Sequence, residues 1–243
     1  YMLQLSGICK TQTDLRKKLI ELIGIEETNN FYKAWIENGA TKQDIDFLAS
    51  QGFNSIRFPM HHNLFTLPIE EEPVKGKQTW IESGLALTDS LLSWCKTNEM
   101  YLILDMHAAP GGQGNDIAIS DASDVRLWQS EENKQKLIDL WRKLAERYAD
   151  EEWIGAYDIL NEPNYGFQDS NDRNGCNEEL NKPLRELMIE ITKAIREVDK
   201  KHIIVISGNC WGNNYKGIFP LWDDNMVISF HKYWNYNTEK EID

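Results

Sequence analysis

Two hydrophobic rhythms alternate along the chain. Short runs in which nearly every position is apolar, "NSIRFP", "YLILDMH", "WIGAYDIL", "HIIVIS" and "MVISF", are separated by longer stretches in which apolar residues return every three or four positions. The first rhythm predicts strands covered on both faces and the second predicts amphipathic helices. Residues 41–50, "TKQDIDFLAS", open on Thr41 with Asp44 three positions later, a capping-box start, and Gly52 follows the helix end. Leu87, Leu91 and Cys95, with Leu92 beside them, mark one helix face. "NKQKLIDLWRKLAERY" forms a third helix, and Leu184, Leu187, Met188, Ile191, Ile195 and Val198 mark a fourth. Strands fall near 54–58, 101–106, 154–160, 203–207 and 227–231, the last reached by a shorter, irregular connection. Parallel strands need crossovers of about a dozen residues or more, so this alternation predicts an α/β fold in a single domain over 1–243.

Every predicted strand runs into polar residues: Arg57, His107, Asn161 with Glu162, Asn209 just past Ser207, and His231 with Tyr233. Parallel strands deliver their C-terminal ends to one face, where α/β barrels and open α/β sheets bind ligands. Singly, each group has a plainer reading. Arg57 fits a structural ion pair, His107 a satisfied core imidazole on the same side of its strand as Asp105, and Tyr233 and Trp234 packing aromatics. Together at one sheet edge they predict a pocket. Pro163 lacks an N–H for the ladder, so it ends its strand and leaves Glu162 at the rim. A partly dehydrated carboxyl there can stay protonated near neutral pH and act as a general acid, and Asn161 supplies an uncharged amide beside it. The plain alternative for "NEP" is a turn with a solvated Glu.

Composition narrows the partners. A formal charge of -13 repels phosphate backbones and anionic lipid head groups, which argues against nucleic acid and membrane surfaces. No apolar run approaches the roughly 20 residues of a spanning helix, and the first 25 residues show neither the n-region nor the h-region of a signal peptide. Cys9, Cys95, Cys176 and Cys210 form no C-x-x-C pair and are read as free thiols, because a domain of this size does not need stapling. A monomer is expected, with no metal and no cofactor.

The stretches "GFNSIRFPMHHNLF", "LILDMHAAPGGQGND", "YDILNEPN", "AIREVDKKHIIVISGNCW" and "NMVISFHKYW" together resemble glycoside hydrolase family 5, the cellulase family A of the (β/α)8 retaining glycosidases. The resemblance runs from about Gln43 to Trp234 and implies a (β/α)8 TIM barrel. It implies Glu162 as acid/base, Asn161 as the neighbour that binds the sugar 2-hydroxyl, and Arg57 beside the nucleophile, favouring its ionised form. His107 and His231 match family positions, and Tyr233 matches the Tyr that hydrogen-bonds the nucleophile. Trp211, Asn209 and Trp234 are the expected substrate contacts, with Trp211 placed for stacking on sugar, while Trp94 and Trp141 sit in helical patterns and belong to the core. The implied chemistry is retaining hydrolysis of a β-glycosidic bond in an oligo- or polysaccharide, with the two carboxyls about 5 to 5.5 Å apart and no metal, in a secreted or periplasmic setting.

The sequence departs from that pattern at both ends. The family's nucleophile, a Glu ending strand seven, has no match: Glu239 and Glu241 lie in the charged tail "NTEKEID", which has no strand character. "YMLQLSG" resembles the stretch after strand one. The chain therefore reads as strands two to six of the barrel, with strands one, seven and eight missing. Five parallel strands cannot close and leave two open edges, so a truncated, inactive fragment of a catalytic domain is expected. Two rival readings stand beside it. One is a carbohydrate-binding barrel remnant without a nucleophile. The other is a metal-dependent hydrolase using Asp105, His107 and His231, with His61 and His62 as further ligands, although an adjacent His pair on a strand would point to opposite faces. "PGGQGN" is expected as a flexible wall of the cleft and the Asn-rich segment 163–182 as the part that shapes it. β-1,4-Glucan, mixed-linkage glucan, β-1,3-glucan, xyloglucan and mannan, and endo or exo cleavage, all stay open.

Overall fold

The computed structural model describes residues 7–169 and 171–232. Five strands, β1 (Ser55–His61), β2 (Tyr101–Ala108), β3 (Ile154–Asp158), β4 (Ile203–Ser207) and β5 (Met226–Ser229), form one parallel sheet in the order β1-β2-β3-β4-β5. Each predicted strand is present to within a few residues. Strictly sequential order is the arrangement of a barrel wall, since a doubly wound sheet reverses direction at a switch point.

Three crossover helices cover one face: Glu82–Thr97 between β1 and β2, Glu131–Tyr148 between β2 and β3, and Lys182–Val198 between β3 and β4. β4 reaches β5 through short turns, the irregular connection foreseen. The core lies between the helices and the alternate strand residues Leu102, Leu104, Met106, Tyr157, Ile204 and Ile206, all 0% exposed. Trp141 is buried there and donates from Nε1 to the Ile159 carbonyl at 2.9 Å. Trp94 packs against the same core. Full burial of a Leu, Ile or Met side chain contributes about 1.5–3 kcal/mol, so this layer is the main source of cohesion.

The other face of the sheet differs from expectation. It was read as apolar, but it carries Arg57, Asp105, His107 and Asp158, placed there by the two-residue period of the strands. Asp105 and Asp158 are register partners on β2 and β3.

The helix Lys42–Ser50 starts as its sequence predicts: Asp44 accepts from the Thr41 N–H at 2.8 Å and from the Thr41 hydroxyl at 2.7 Å. Along Glu82–Thr97 the buried face is Leu85, Thr88, Leu91, Leu92 and Cys95. Leu87, assigned to that face from its spacing, is exposed at 40%, because the helix turns Leu85 and Thr88 inward instead. A long helical segment, Gln12–Gly39, was not anticipated. It breaks at Gly24, where φ is 82°, and buries only Leu15 and Thr28, so no apolar stripe announces it.

One buried ion pair ties the β1 connection to the second crossover helix. Lys136 meets the Glu72 carboxylate and the Thr66 hydroxyl, with side-chain exposures of 3% for Lys136 and 0% for Glu72. Removing one member strands the other charge, a loss of about 3–5 kcal/mol. Lys136→Met should lower the urea-denaturation free energy by about that much, and Lys136→Met/Glu72→Gln should recover most of it; equal losses in the single and double variants would show that the pair is not coupled.

Candidate active site

The polar groups converge at the C-terminal edge of the sheet around Arg57. Its Nε and Nη2 donate to Asp158 Oδ2 at 2.9 and 2.7 Å, its Nη1 lies 2.9 Å from Asp105 Oδ2, and Nη2 also donates to Asn161 Oδ1 at 2.9 Å. His107 Nδ1 lies 2.8 Å from Asp105 Oδ2 and its Nε2 lies 3.4 Å from Asn161 Nδ2. Asp105 was expected only as a same-side neighbour of His107; the bond between them makes it part of the site.

Two buried carboxylates share one guanidinium. Burial and the nearby Asp105 charge push Asp158 up to about 6, against the pull of Arg57 and His231. The Oδ1 atoms of Asp105 and Asp158 are buried with no hydrogen-bond partner among the described residues.

Glu162 follows directly. It is 5% exposed, its φ is 45°, and Oε1 lies 2.6 Å from His231 Nδ1. A non-glycine residue in the left-handed region costs on the order of 1–3 kcal/mol and persists only where surroundings hold it, which marks it as a functional candidate. Here the surroundings are identifiable. Asn161 donates its N–H to the Met106 carbonyl at 3.0 Å and accepts on its own carbonyl from Gln113 Nε2 at 2.8 Å. Pro163 then turns the chain out, and its carbonyl accepts the Trp211 N–H at 3.1 Å.

The structure thus brings together Arg57, His107, Asn161, Glu162 and His231, and rejects the solvated-turn reading of "NEP". Tyr233 and Trp234 lie outside the described residues. Trp211 is half-buried and lines an open hollow of about 600 Å³ with Asn115, Asp116, Ile117, Arg173 and Asn174. Of the candidate site residues only Trp211 lines the hollow, and its N–H is bonded to the carbonyl of Pro163, next to Glu162. Asn209 must be corrected as a substrate contact. It is 0% exposed, its amide donates to Tyr165 O and Asn181 Oδ1, and its Oδ1 accepts from the N–H groups of Tyr165 and Cys210. With every bonding position used, it holds two loops together.

The loop chemistry was only partly legible. Cys176 and Cys210 form a disulfide, which overturns the free-thiol reading for these two; Cys95 is buried, and its thiol is pushed up to about 11 by desolvation. The disulfide ties the 163–182 segment to the loop after β4, where Cys210 and Trp211 both have positive φ. Within 163–182, Glu178 accepts the N–H groups of Phe167 and Gln168 at 2.6 Å each, and Trp128 packs edge-on against Phe167. Arg173 and Asn174 line the hollow, as a cleft-shaping segment should.

"PGGQGN" is tied down where a flexible wall was expected. Gln113 is 0% exposed, accepting the Ala109 N–H and donating to the His107 and Asn161 carbonyls. A Cβ on Gly111 would meet Asn133 Nδ2 at 2.4 Å. Gln113, Asp158 and Trp128 were missed by the sequence reading; Asp158 lies three positions before Asn161 in the same motif and Gln113 lies within "PGGQGN", whereas Trp128 left no trace.

The His pair also departs from expectation. His61 and His62 stack at 4.8 Å instead of pointing to opposite faces, because the strand ends between them. His61 Nε2 lies 2.9 Å from Asp121 Oδ2. Burial pushes Asp121 up, but its hydrogen bonds from His61 and Thr13 outweigh this and hold it well below the usual carboxylate range. Burial keeps His62 well below the usual imidazole range. Among the described residues no group of three or more His, Cys, Asp or Glu is arranged to hold a metal ion, and no helix is long and apolar enough to cross a membrane.

Comparison with known proteins identifies the lineage. The family model Cellulase (glycosyl hydrolase family 5) matches residues 13–243. The chain belongs to glycosyl hydrolase family 5. Endoglucanase C of Acetivibrio thermocellus is 32% identical to this family 5 chain over 211 residues, covering 86% of the chain and 54% of the relative. The beta-xylosidase of Phanerodontia chrysosporium is 27% identical over 234 residues, covering 94% and 45%. Among solved structures, endoglucanase Cel5A from Thermotoga maritima superposes with a TM-score of 0.59 at 22% identity, over 80% of this chain and 53% of its own; at that identity the likeness is one of fold. The chain spans about half the length of the curated relatives it matches.

Two outcomes test this site. For Asp158 the folded-state pKa of about 6 lies above the 3.8 of a free Asp, so its contribution favours folding below about pH 4 and is lost as pH rises to about 6. Between pH 4.5 and 7, wild type should lose about 2 kcal/mol relative to Asp158→Asn in urea denaturation, and parallel pH profiles would contradict the shared-charge arrangement. Reduction of the bond across its 34-residue separation should cost about 3–4 kcal/mol, with the Cys176→Ser/Cys210→Ser variant insensitive to dithiothreitol.

Proposed function

We propose that this chain supplies the acid/base half of a retaining β-glycosidase acting on a β-linked glucan or related polysaccharide. The observation that carries the reading is Glu162: a buried carboxyl in a left-handed backbone conformation, held 2.6 Å from His231 and directly after an Asn161 locked to Arg57. His231 occupies Oε1, which leaves Oε2 to give a proton to the glycosidic oxygen and later to take one from water. Similar proteins carry the names endoglucanase, beta-xylosidase and glucan 1,3-beta-glucosidase, which supports a β-glycosidic substrate and leaves the sugar open.

Retention requires a second carboxylate as nucleophile. Asp105 and Asp158 are poor choices, since both are bound to Arg57 and sealed from solvent. The nucleophile belongs to a segment outside the residues described, on one of the strands that would complete the (β/α)8 barrel around strands two to six. On this reading residues 1–243 are one incomplete catalytic domain that binds saccharide but hydrolyses nothing at a useful rate. No metal or cofactor takes part, the protein acts as a monomer, and the Cys176–Cys210 disulfide supports a secreted or periplasmic setting, where such bonds persist.

The sharpest experiment is a polysaccharide panel assayed with the 243-residue chain and with a parent protein carrying the remaining barrel strands. The parent should hydrolyse a β-linked glucan, and Glu162→Gln should lower its kcat by about 10²–10⁴-fold. A parent that binds oligosaccharide but cleaves nothing would turn the assignment into a carbohydrate-binding remnant. Hydrolysis by the 243-residue chain that is abolished in Glu162→Gln would overturn the incomplete-site reading.

A further inference from the structure

The hydrogen bonds around Asn161 allow one assignment of donors and acceptors, and it extends to Asp105. A guanidinium only donates, so the Asn161 atom 2.9 Å from Arg57 Nη2 is the carbonyl oxygen. The amide nitrogen is then the group facing His107 Nε2 at 3.4 Å. An amide NH2 also only donates, so Nε2 presents a lone pair. The proton of the neutral ring sits on Nδ1 and is donated to Asp105 Oδ2 at 2.8 Å. That same oxygen accepts Arg57 Nη1 at 2.9 Å, which closes the circuit Asp105, His107, Asn161, Arg57. Asp158 grips the guanidinium from its other side through Nε and Nη2, so Arg57 cannot swing out.

We infer that Asp105 is a positioning residue: by accepting the His107 Nδ1–H it sets the imidazole tautomer, and through His107 and Arg57 it fixes the orientation of the Asn161 amide immediately before Glu162. Its cost is visible. Asp105 is 0% exposed and its Oδ1 has no partner among the described residues, and a buried unpaired oxygen of this kind calls for a compensating role. The role is directional. Without a carboxylate at 105 the ring can carry its proton on Nε2, which would face the amide with a second donor and turn Asn161 over. Asn161 is pinned through its own N–H and C=O to Met106 and Gln113, so the strain would pass to Glu162, whose left-handed conformation depends on that anchor.

The catalytic consequence rests on the glycosidase reading, but the tautomer does not. The test is a two-dimensional ¹H–¹⁵N spectrum of histidine-labelled chain at neutral pH, with the His107 signals assigned by His107→Gln. Wild type should show the Nδ1–H tautomer at His107, Asp105→Asn should keep it because its carbonyl oxygen still accepts, and Asp105→Leu should lose it. In an active parent protein, Asp105→Leu should lower kcat by about 100-fold with KM changed less than about threefold, the cost of a small displacement of a reacting group, and Asp105→Asn should restore most of that rate. An Nε2–H tautomer in wild type, or an unchanged tautomer and kcat in Asp105→Leu, would overturn the assignment; the wild-type spectrum decides even where Asp105→Leu does not fold. An inactive parent whose His107 carries Nδ1–H would defeat the glycosidase reading and leave the circuit standing.

Discussion

The structure is organised around one guanidinium. Arg57 sits on the sheet face turned away from the helices and bonds to one oxygen of each of two carboxylates and to an amide at once. Placing Asp105 and Asp158 opposite each other on adjacent strands would be prohibitive without it, because a buried unpaired carboxylate is among the costliest groups a protein can contain. With it, one positive charge ties β1, β2 and β3 together through Arg57, Asp105 and Asp158. The residual mismatch, two acids for one base, appears as the raised pKa of Asp158.

From that centre, rigidity is carried outward by polar side chains that bond to backbone. Gln113 reaches three backbone groups, Asn209 bonds across two loops, and Asn214 donates to the Gly175 and Glu178 carbonyls. In these loops the amides and the Cys176–Cys210 bond add to the aromatic packing of Trp128, Tyr165 and Phe167. The result is a rim in which Trp211 and Arg173 face an open hollow while the amides beneath them stay sealed. This division separates residues that meet a ligand from residues that hold the former in place.

Much of this was readable in advance, for identifiable reasons. The strands showed because their helix-facing residues are fully apolar, and the polar groups Arg57, His107, Glu162 and His231 showed because each interrupts or ends such a run, although Arg57 lies inside β1 and not at its end. That Asp105 and His107 share one side of β2 follows from their spacing, whereas the bond between them was found only in the structure. Leu87 was misplaced because periodicity gives a stripe but not its rotation on the sheet, and the segment Gln12–Gly39 went unread because it buries too little to show a stripe.

By itself, then, the sequence determined the parallel α/β layering, the approximate positions of the strands and the polar residues that interrupt or follow them, though β1 runs on past Arg57 to His61, since all of these depend on hydrophobic period and strand-ending residues that are local in the chain. Tertiary structure decided which of those residues meet. Asn209 was turned from a substrate contact into a loop anchor, Cys176 and Cys210 were joined across 34 positions, and Asp105, His107, Asn161 and Arg57 were closed into one circuit. Those outcomes depend on distances between segments far apart in sequence, where hydrogen-bond donors and acceptors must match one by one, and no local pattern carries that information.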